Sequence, residues 1–263
     1  MSMAEAEWRR PLRKALRRAW LDWRNRPHAR RLEALRDSRS GQRAFVAAAG
    51  PSLASMDLSR LSGEFVCTVN MSLRLADGPL PGVAMHVVND LNRFRRFREE
   101  IVEISERRAI PYRFYHLGAW RELAATERTV PHYFLTSPHA LDPERDVDPV
   151  RGLGGSASVV IYACQLLHLM GFEAVHVLGV DLDYGGSNPY FYDLGARDRT
   201  HEADPKVQVR RIETEKANAE FALLRRLFER TGRQLLNSGA GGQLEALTRM
   251  PLENVPFSTL QGN

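Results

Sequence analysis

Apolar runs that end in small or polar residues recur along this 263-residue chain. The run Arg43–Ala49 leads into Gly50–Leu53, and the run Ala174–Asp181 leads into a loop rich in glycine and tyrosine. Short apolar runs that are bounded by turn residues are typical of buried strands. In an open α/β sheet, ligands bind at the carboxyl ends of the parallel strands. The pattern therefore predicts a ligand site that is built from strand ends.

Further runs of this kind alternate with helical patterns, and this alternation predicts a Rossmann-like α/β fold with a mostly parallel sheet and helices on both faces. The predicted strands are 43–49, 64–70, 83–89, 112–117, 133–136, 175–180 and 234–237, and the predicted helices are 92–107, 156–170 and 207–231. Two polar, glycine-containing stretches, 140–155 and 185–205, are predicted as flexible loops. The second is long enough to close over a substrate as a lid.

Residues 1–42 differ from the rest of the chain and are predicted to form a basic helical arm before a catalytic domain of residues 43–263. Residues 1–43 hold 13 basic and 5 acidic side chains, whereas the net charge of the whole chain is only +5. An apolar stripe at helical spacing consists of Trp8, Leu12, Leu16, Trp20 and Trp23, and Pro27 is expected to end this helix. Such a helix suits an anionic membrane surface, contacted through residues 8–26, or packing on protein, including a second copy of the chain.

Composition narrows the classes of protein further. No run approaches the ~18 apolar residues of a membrane span, and no apolar stretch follows the basic N-terminus as in a secretory signal. Cys67 and Cys164 lie in apolar stretches and are expected to be reduced core residues. No nucleic-acid-binding motif accompanies the basic arm, so no nucleic acid partner is expected. These features predict a cytoplasmic protein, with peripheral attachment to the inner face of the membrane as an option.

Three groups of residues suit a nucleotide. A small-residue turn such as Gly50–Leu53 exposes backbone N–H groups to a phosphate. Asn70 and Asn89 end successive apolar runs, and their amides can donate to and accept from a ribose or a base. The glycine-rich turn at Gly155 and Ser156 precedes an apolar helix, whose N-terminus favours an anion. Residues of these types also serve as ordinary turns and caps. The candidate nucleotide-binding residues are Gly50, Pro51, Ser52, Leu53, Asn70, Asn89, Gly155 and Ser156.

The loop after the run Ala174–Asp181 contains the residues that are suited to chemistry. Tyr184 and Tyr190 flank a glycine-rich stretch, and a tyrosine hydroxyl can donate to a departing phosphate without a metal. His201 follows, and a histidine with a pKa near ~6.5 can take a proton from a hydroxyl group. Asp181 and Asp183 raise an alternative in which two carboxylates hold Mg²⁺ at a nucleotide. Asp181 can equally cap backbone groups within the fold. These residues together predict an enzyme that acts on a nucleotide-linked substrate.

The order of these motifs, from about residue 44 to residue 237, resembles the bacterial sialyltransferases of glycosyltransferase family 42. The resemblance implies a glycosyltransferase that moves an acidic sugar from a CMP-sugar to a bacterial surface glycan, glycolipid or protein, with inversion and without a metal cofactor. It also implies residue roles. Gly50–Leu53, Asn70 and Asn89 would hold the CMP, Ser156 would lie by the donor sugar or phosphate, Tyr184 and Tyr190 would bind the leaving phosphate, and His201 would deprotonate the acceptor.

The motifs also resemble the wider superfamily, which contains the flagellin-modifying motility accessory factors and the archaeal hydroxymethyl-dihydropterin pyrophosphokinases. This resemblance implies an alternative function, in which Asp181 and Asp183 hold Mg²⁺ with ATP and a pyrophosphate passes to a small alcohol. A third hypothesis is a non-catalytic nucleotide-binding scaffold. Ala49 favours it, because the sialyltransferase family usually has asparagine before Gly-Pro-Ser-Leu.

Overall fold

The central sheet of the protein has eight parallel strands. The computed structural model describes residues 25–80, 82–156, 158–183, 190–203 and 214–257. The strand order across the sheet is β10-β9-β8-β1-β2-β3-β4-β5, and every neighbouring pair is parallel. These strands are β1 (Arg43–Ala47), β2 (Phe65–Val69), β3 (Met85–Val88), β4 (Tyr112–His116), β5 (His132–Phe134), β8 (Ala174–Leu178), β9 (Gln234–Asn237) and β10 (Thr248–Arg249).

Helices cover both faces of this sheet. The described helices are α1 (25–33), α2 (Leu91–Arg107), α3 (Val159–Leu169), α4 (Ala196–Glu202) and α5 (Thr214–Arg230). Alternate residues of a strand point to opposite faces. Ala44 and Val46 of β1 pack with α1, α3 and α5, whereas Phe45 and Ala47 face 3-10 segments on the other side. The helix α2 packs on that same side, over β3, β4 and β5. The chain therefore has the Rossmann-like α/β fold that its sequence predicts.

The prediction of a loop over residues 140–155 is wrong for the last three residues of this stretch. Leu153–Gly155 forms strand β7, which pairs in parallel with β6 (Thr136–Ala140) in a separate two-stranded sheet. Glycine permits this pairing, because a Cβ atom at Gly154 would lie 2.5 Å from the Cα of Leu141. The predicted start of the following helix at Ser156 is also wrong. Helix α3 begins at Val159, and Ser158 is its N-cap residue.

The described part of the predicted N-terminal arm packs on the sheet. Residues 25–33 are helical, and Pro27 lies near the start of this described helix, while the residues of the stripe that it was expected to end lie outside the described ranges. Leu32 is fully buried in the main core, and the Asn25 amide donates to the carbonyl oxygen of Pro149 at 2.8 Å. Arg31 donates to the carbonyl oxygen of Pro131 at 3.1 Å. These contacts hold residues 25–33 against the body of the domain. The tryptophan stripe lies outside the described residues.

Two further predictions concern the core and the membrane. Cys67 and Cys164 are both buried and free, as the sequence predicts. Within the described ranges, no helix is long and apolar enough to cross a lipid bilayer.

Candidate functional site

The order of the strands reverses beside β1. From β1 the chain continues through β2 to β5 on one side of the sheet, and then crosses to β8, β9 and β10 on the other. The turns that follow β1 and β8 therefore meet at the carboxyl edge, at the topological switch point where doubly wound sheets bind ligands. Both turns were singled out from the sequence, and the fold brings them together.

A serine and an aspartate join these two turns. The backbone N–H of Ser52 donates to Oδ2 of Asp181 at 2.8 Å, and the Ser52 hydroxyl donates to Oδ1 at 2.5 Å. Asp181 is only 7% exposed, so its carboxylate holds the turn after β1 to the turn after β8. Both oxygens already have a partner, and Asp183 is exposed. No group of three or more metal-ligating side chains is found in the described part of the chain. A cation at Asp181 would have to share the carboxylate with these two hydrogen bonds from Ser52.

The glycine before this serine is required by the protein's own backbone. A Cβ atom at Gly50 would lie 2.5 Å from the carbonyl oxygen of Gly179 and 2.6 Å from Oδ2 of Asp181. A side chain at this position would therefore clash with the protein itself. Pro51–Ser55 continues as a 3-10 helix, and Leu53 of this helix is buried against Gly179. The segment Gly50–Leu53 is therefore held against the turn after β8.

Asn70 and Asn89 carry buried amide oxygens that lack partners. Each follows one of the adjacent strands β2 and β3. The Oδ1 atom of each is buried and has no hydrogen-bond partner among the described residues. Asn70 also has a left-handed backbone with φ of 48°, a conformation that asparagine tolerates better than most residues. A buried acceptor without a donor is costly, so both oxygens are suited to receive hydrogen bonds from a ligand or water.

The predicted residue Ser156 belongs to a closed hydrogen-bond network. The Tyr162 hydroxyl accepts from the backbone N–H of Ser156 at 2.7 Å and donates to the Ser156 carbonyl oxygen at 2.6 Å. The Ser156 hydroxyl donates to Glu220 at 2.5 Å and accepts from the backbone N–H of Ser158 at 3.0 Å. The hydroxyl thus donates and accepts within the protein, and it would have to change partners to donate to a phosphate. Burial raises the pKa of Tyr162 and keeps its hydroxyl protonated.

The aromatic segment Tyr190–Tyr192 lies along the same edge of the sheet. The backbone N–H of Phe191 donates to the carbonyl oxygen of Ala49 at 3.0 Å, which holds the segment beside the end of β1. The rings of Tyr190 and Tyr192 stack with their centroids 5.2 Å apart. Arg93, in the first turn of α2, donates to the Tyr190 hydroxyl oxygen at 3.3 Å. The fold therefore brings Tyr190 to the edge that Asn89 and Arg93 occupy.

The other two predicted catalytic residues are Tyr184 and His201. Tyr184 lies outside the described residues. His201 lies in helix α4 (Ala196–Glu202), but its side chain is outside what the structure describes. The predicted lid over residues 185–205 therefore contains a helix. Asp198 of this helix is 5% exposed and pairs with Arg74 at 3.1 Å, which ties α4 to the body of the domain.

Sequence reasoning missed four residues of this region, namely Arg74, Arg93, Tyr162 and Glu220. They lie on helical segments, where arginine, tyrosine and glutamate are ordinary residues with no local motif. Their partners are 26 to 124 positions away for Arg74, 97 for Arg93 and 64 for Glu220. The one local signal is the position of Arg93 shortly after Asn89, in the first turn of a helix that starts at a strand end.

The fold of this chain is shared with proteins of known structure. No protein-family model matches the chain, and no curated protein sequence matches it. The solved structures that share its fold include the MAf glycosyltransferase from Magnetospirillum magneticum AMB-1. That similarity has a TM-score of 0.50 at 13% sequence identity, and it covers 88% of this chain and 39% of the other. The chain thus spans about two fifths of the length of that glycosyltransferase.

The sialyltransferase CstII from Campylobacter jejuni is similar over nearly its whole length. Its complex with cytidine-5'-monophosphate has a TM-score of 0.53 at 12% identity, covering 83% of this chain and 89% of the other. Its complex with CMP-3FNeuAc has a TM-score of 0.55 at 12% identity, covering 82% and 90%. At such low identity these comparisons establish a shared fold.

Proposed function

We propose that the protein is a glycosyltransferase that moves an acidic sugar from a CMP-sugar donor to a hydroxyl group of a glycan, glycolipid or protein acceptor. One observation carries the proposal. The buried, unpartnered amide oxygens of Asn70 and Asn89 lie at the ends of adjacent strands, near the switch point of the sheet. The fold is also shared with a sialyltransferase whose structures contain CMP and a CMP-sugar analogue.

The donor nucleotide is proposed to bind along this edge. The two asparagine oxygens accept from ribose hydroxyls or from the amino group of cytosine. The segment Gly50–Leu53 borders this site on the β1 side. The phosphate lies towards Arg93 and Tyr190, because a guanidinium group favours an anion. Ser156 and Gly155 border the donor sugar, with Ser156 changing partner from Glu220 where it contacts the ligand.

The proposed reaction needs a base and a stabilised leaving group. The acceptor oxygen attacks the anomeric carbon of the donor sugar, and the bond between that carbon and the phosphate oxygen breaks. The electron pair of this bond leaves with CMP, and the acceptor proton passes to His201. The hydroxyls of Tyr184 and Tyr190 donate to the phosphate oxygens as their negative charge grows. Arg93 strengthens the donor at Tyr190, since its hydrogen bond to Oη withdraws electron density from the phenol O–H.

The magnesium-dependent alternative makes a different demand on the same residues. It requires Asp181 to hold a cation with Asp183 through carboxylate oxygens that also accept hydrogen bonds from Ser52. The two functions are distinguished by the nucleotide that binds and by whether that binding depends on Mg²⁺.

We expect CMP to stabilise the protein against heating in the presence of EDTA, and to do so more than CDP, UDP, GDP or ATP. Alanine at Asn89 removes an acceptor from the proposed nucleotide site. The N89A variant should therefore bind CMP about tenfold more weakly in calorimetry, a loss of about 1.4 kcal/mol. The matched control is N254A, because Asn254 is exposed on the 3-10 helix Leu252–Asn254. Stabilisation that requires Mg²⁺ and a purine triphosphate would move the assignment to pyrophosphoryl transfer. Stabilisation by no nucleotide would refute both enzymatic assignments.

A further inference from the structure

Arg74 joins three parts of the molecule that the sequence separates. It lies in the 3-10 helix Asn70–Asp77, four residues after Asn70. Its Nε and Nη2 atoms donate to the two carboxylate oxygens of Glu100 on α2, at 2.6 and 3.1 Å. Its Nη1 atom donates to both carboxylate oxygens of Asp198 on α4, at 3.1 Å each. One guanidinium group thus holds two carboxylates on two different helices.

Aromatic rings enclose the same guanidinium group. Its Cζ atom lies 4.7 Å from the centre of the Tyr192 ring and 5.6 Å from the centre of the Phe97 ring. Arginine stacks on aromatic faces and forms two-pronged pairs with carboxylates, which lysine does not do. Burial alone would lower the pKa of Arg74, but the hydrogen bonds and charges of Glu100 and Asp198 outweigh burial and raise the pKa above its ordinary value.

Two of these partners belong to the segment 190–203, which also contains Tyr190 and His201. Tyr192 and Asp198 anchor this segment at two points, and Asp198 is 5% exposed. Glu100 belongs to the helix whose first turn carries Arg93, the donor to Tyr190. Removal of the Arg74 guanidinium would leave the buried carboxylate of Asp198 without this cationic partner, which is strongly unfavourable. The part of segment 190–203 around Asp198 would then lose its link to α2.

We propose that Arg74 is a positioning residue that holds segment 190–203 against α2 and so sets Tyr190 and His201 relative to the nucleotide site. The catalytic consequence rests on the proposed function, whereas the anchoring does not. Arg74 acts through the segment and through Tyr192.

The test combines hydrogen exchange with kinetics in the full chain. We expect the backbone amides of residues 190–203 to exchange at least about tenfold faster in R74Q than in the wild type, with α3 unchanged. R74K should lie between the two, since it retains the charge without the two-pronged geometry. In CMP-sugar turnover, R74Q should lower kcat about tenfold and leave the KM for the donor within about twofold.

A matched control is the ion pair at the end of the same 3-10 helix, between Asp77 and an arginine of α2. Arg107 of α2 pairs with Asp77 at 2.9 and 2.8 Å, but this pair is more exposed and does not reach segment 190–203. In R107Q, the backbone amides of residues 190–203 should therefore exchange hydrogen at the wild-type rate. D198N is the second variant, because it removes the anchor of the segment and retains the pair between Arg74 and Glu100.

Each outcome decides a separate claim. Wild-type exchange of residues 190–203 in both R74Q and D198N would overturn the proposal. Equal acceleration in α3 would also overturn it, since Arg74 would then stabilise the whole domain. Acceleration confined to residues 190–203, in a protein that neither binds CMP nor turns over a CMP-sugar, would support the anchoring and refute the proposed function.

Discussion

Phenylalanine at position 190 is expected to lower turnover of a CMP-sugar about 10²–10³-fold, the usual cost of removing one donor to a developing negative charge. In the proposed reaction the Tyr190 hydroxyl donates to the departing phosphate, and Arg93 enhances this donation from 3.3 Å. The Tyr190 ring stacks on Tyr192, and a phenylalanine ring can keep that stacking. The KM for the donor should therefore change little. Release of CMP under saturating donor measures the effect.

Tyr192 supplies the matched control for this substitution. It lies two residues further along the same segment, and burial raises the pKa of its phenol well above the ordinary value. Tyr192→Phe removes an equivalent hydroxyl that the proposal does not place on the phosphate, so turnover should stay within a few-fold of the wild type. Unchanged turnover in Tyr190→Phe would remove this hydroxyl from the leaving-group role. An equal loss in both variants would indicate damage to the segment instead.

Alanine at position 181 is expected to lower the free energy of unfolding by about 3 kcal/mol or more, because it removes two hydrogen bonds to a charged group, which contribute about 1.5–3 kcal/mol each. Asp181 accepts two hydrogen bonds from Ser52, one from the backbone and one from the hydroxyl. Its removal leaves the N–H group of Ser52 without that partner and releases the turn after β1 from the turn after β8. Denaturant unfolding of the purified variant measures the change.

Two further substitutions serve as comparisons for Asp181→Ala. Asp183 is exposed, so Asp183→Ala should change the free energy of unfolding by less than about 0.5 kcal/mol. Ser52→Ala removes only the hydroxyl bond and should cost about half as much as Asp181→Ala. If Asp181→Ala is as stable as Asp183→Ala, the link between the two turns does not contribute to stability. If Mg²⁺ stabilises the wild type and fails to stabilise both aspartate variants, the carboxylates bind metal.

Seven of the eight described strands of the central sheet were predictable because they are largely buried, whereas the short, exposed strand β10 was missed. In β1, Ala44 and Phe45 are fully buried although they point to opposite sides of the sheet, so the strand appears in the sequence as a continuous apolar run. The short pair formed by Thr136–Ala140 and Leu153–Gly155 was missed for the converse reason. These residues are glycine-rich or exposed and carry no hydrophobic period that would mark them as strands.

The candidate site was predictable where it depends on strand ends and not where it depends on distant partners. Asn70 and Asn89 follow apolar runs, so their place at the sheet edge could be read locally. The packing that requires Gly50 could not, since the atom that excludes a side chain there belongs to Gly179, which follows a distant strand. Glu220 reaches Ser156 across 64 positions, and nothing in the sequence near either residue marks that contact.

The central claim is transfer of a sugar from a CMP-activated donor, and release of CMP from CMP-sialic acid in EDTA tests it most directly. The purified chain is incubated with the donor, with and without a panel of glycan acceptors, and free CMP and sialylated product are separated by chromatography. The account predicts CMP release in EDTA that rises with a matching acceptor and falls in Tyr190→Phe. If CMP binds but no CMP-sugar is consumed with any acceptor, the catalytic assignment is contradicted and the protein is a nucleotide-binding scaffold.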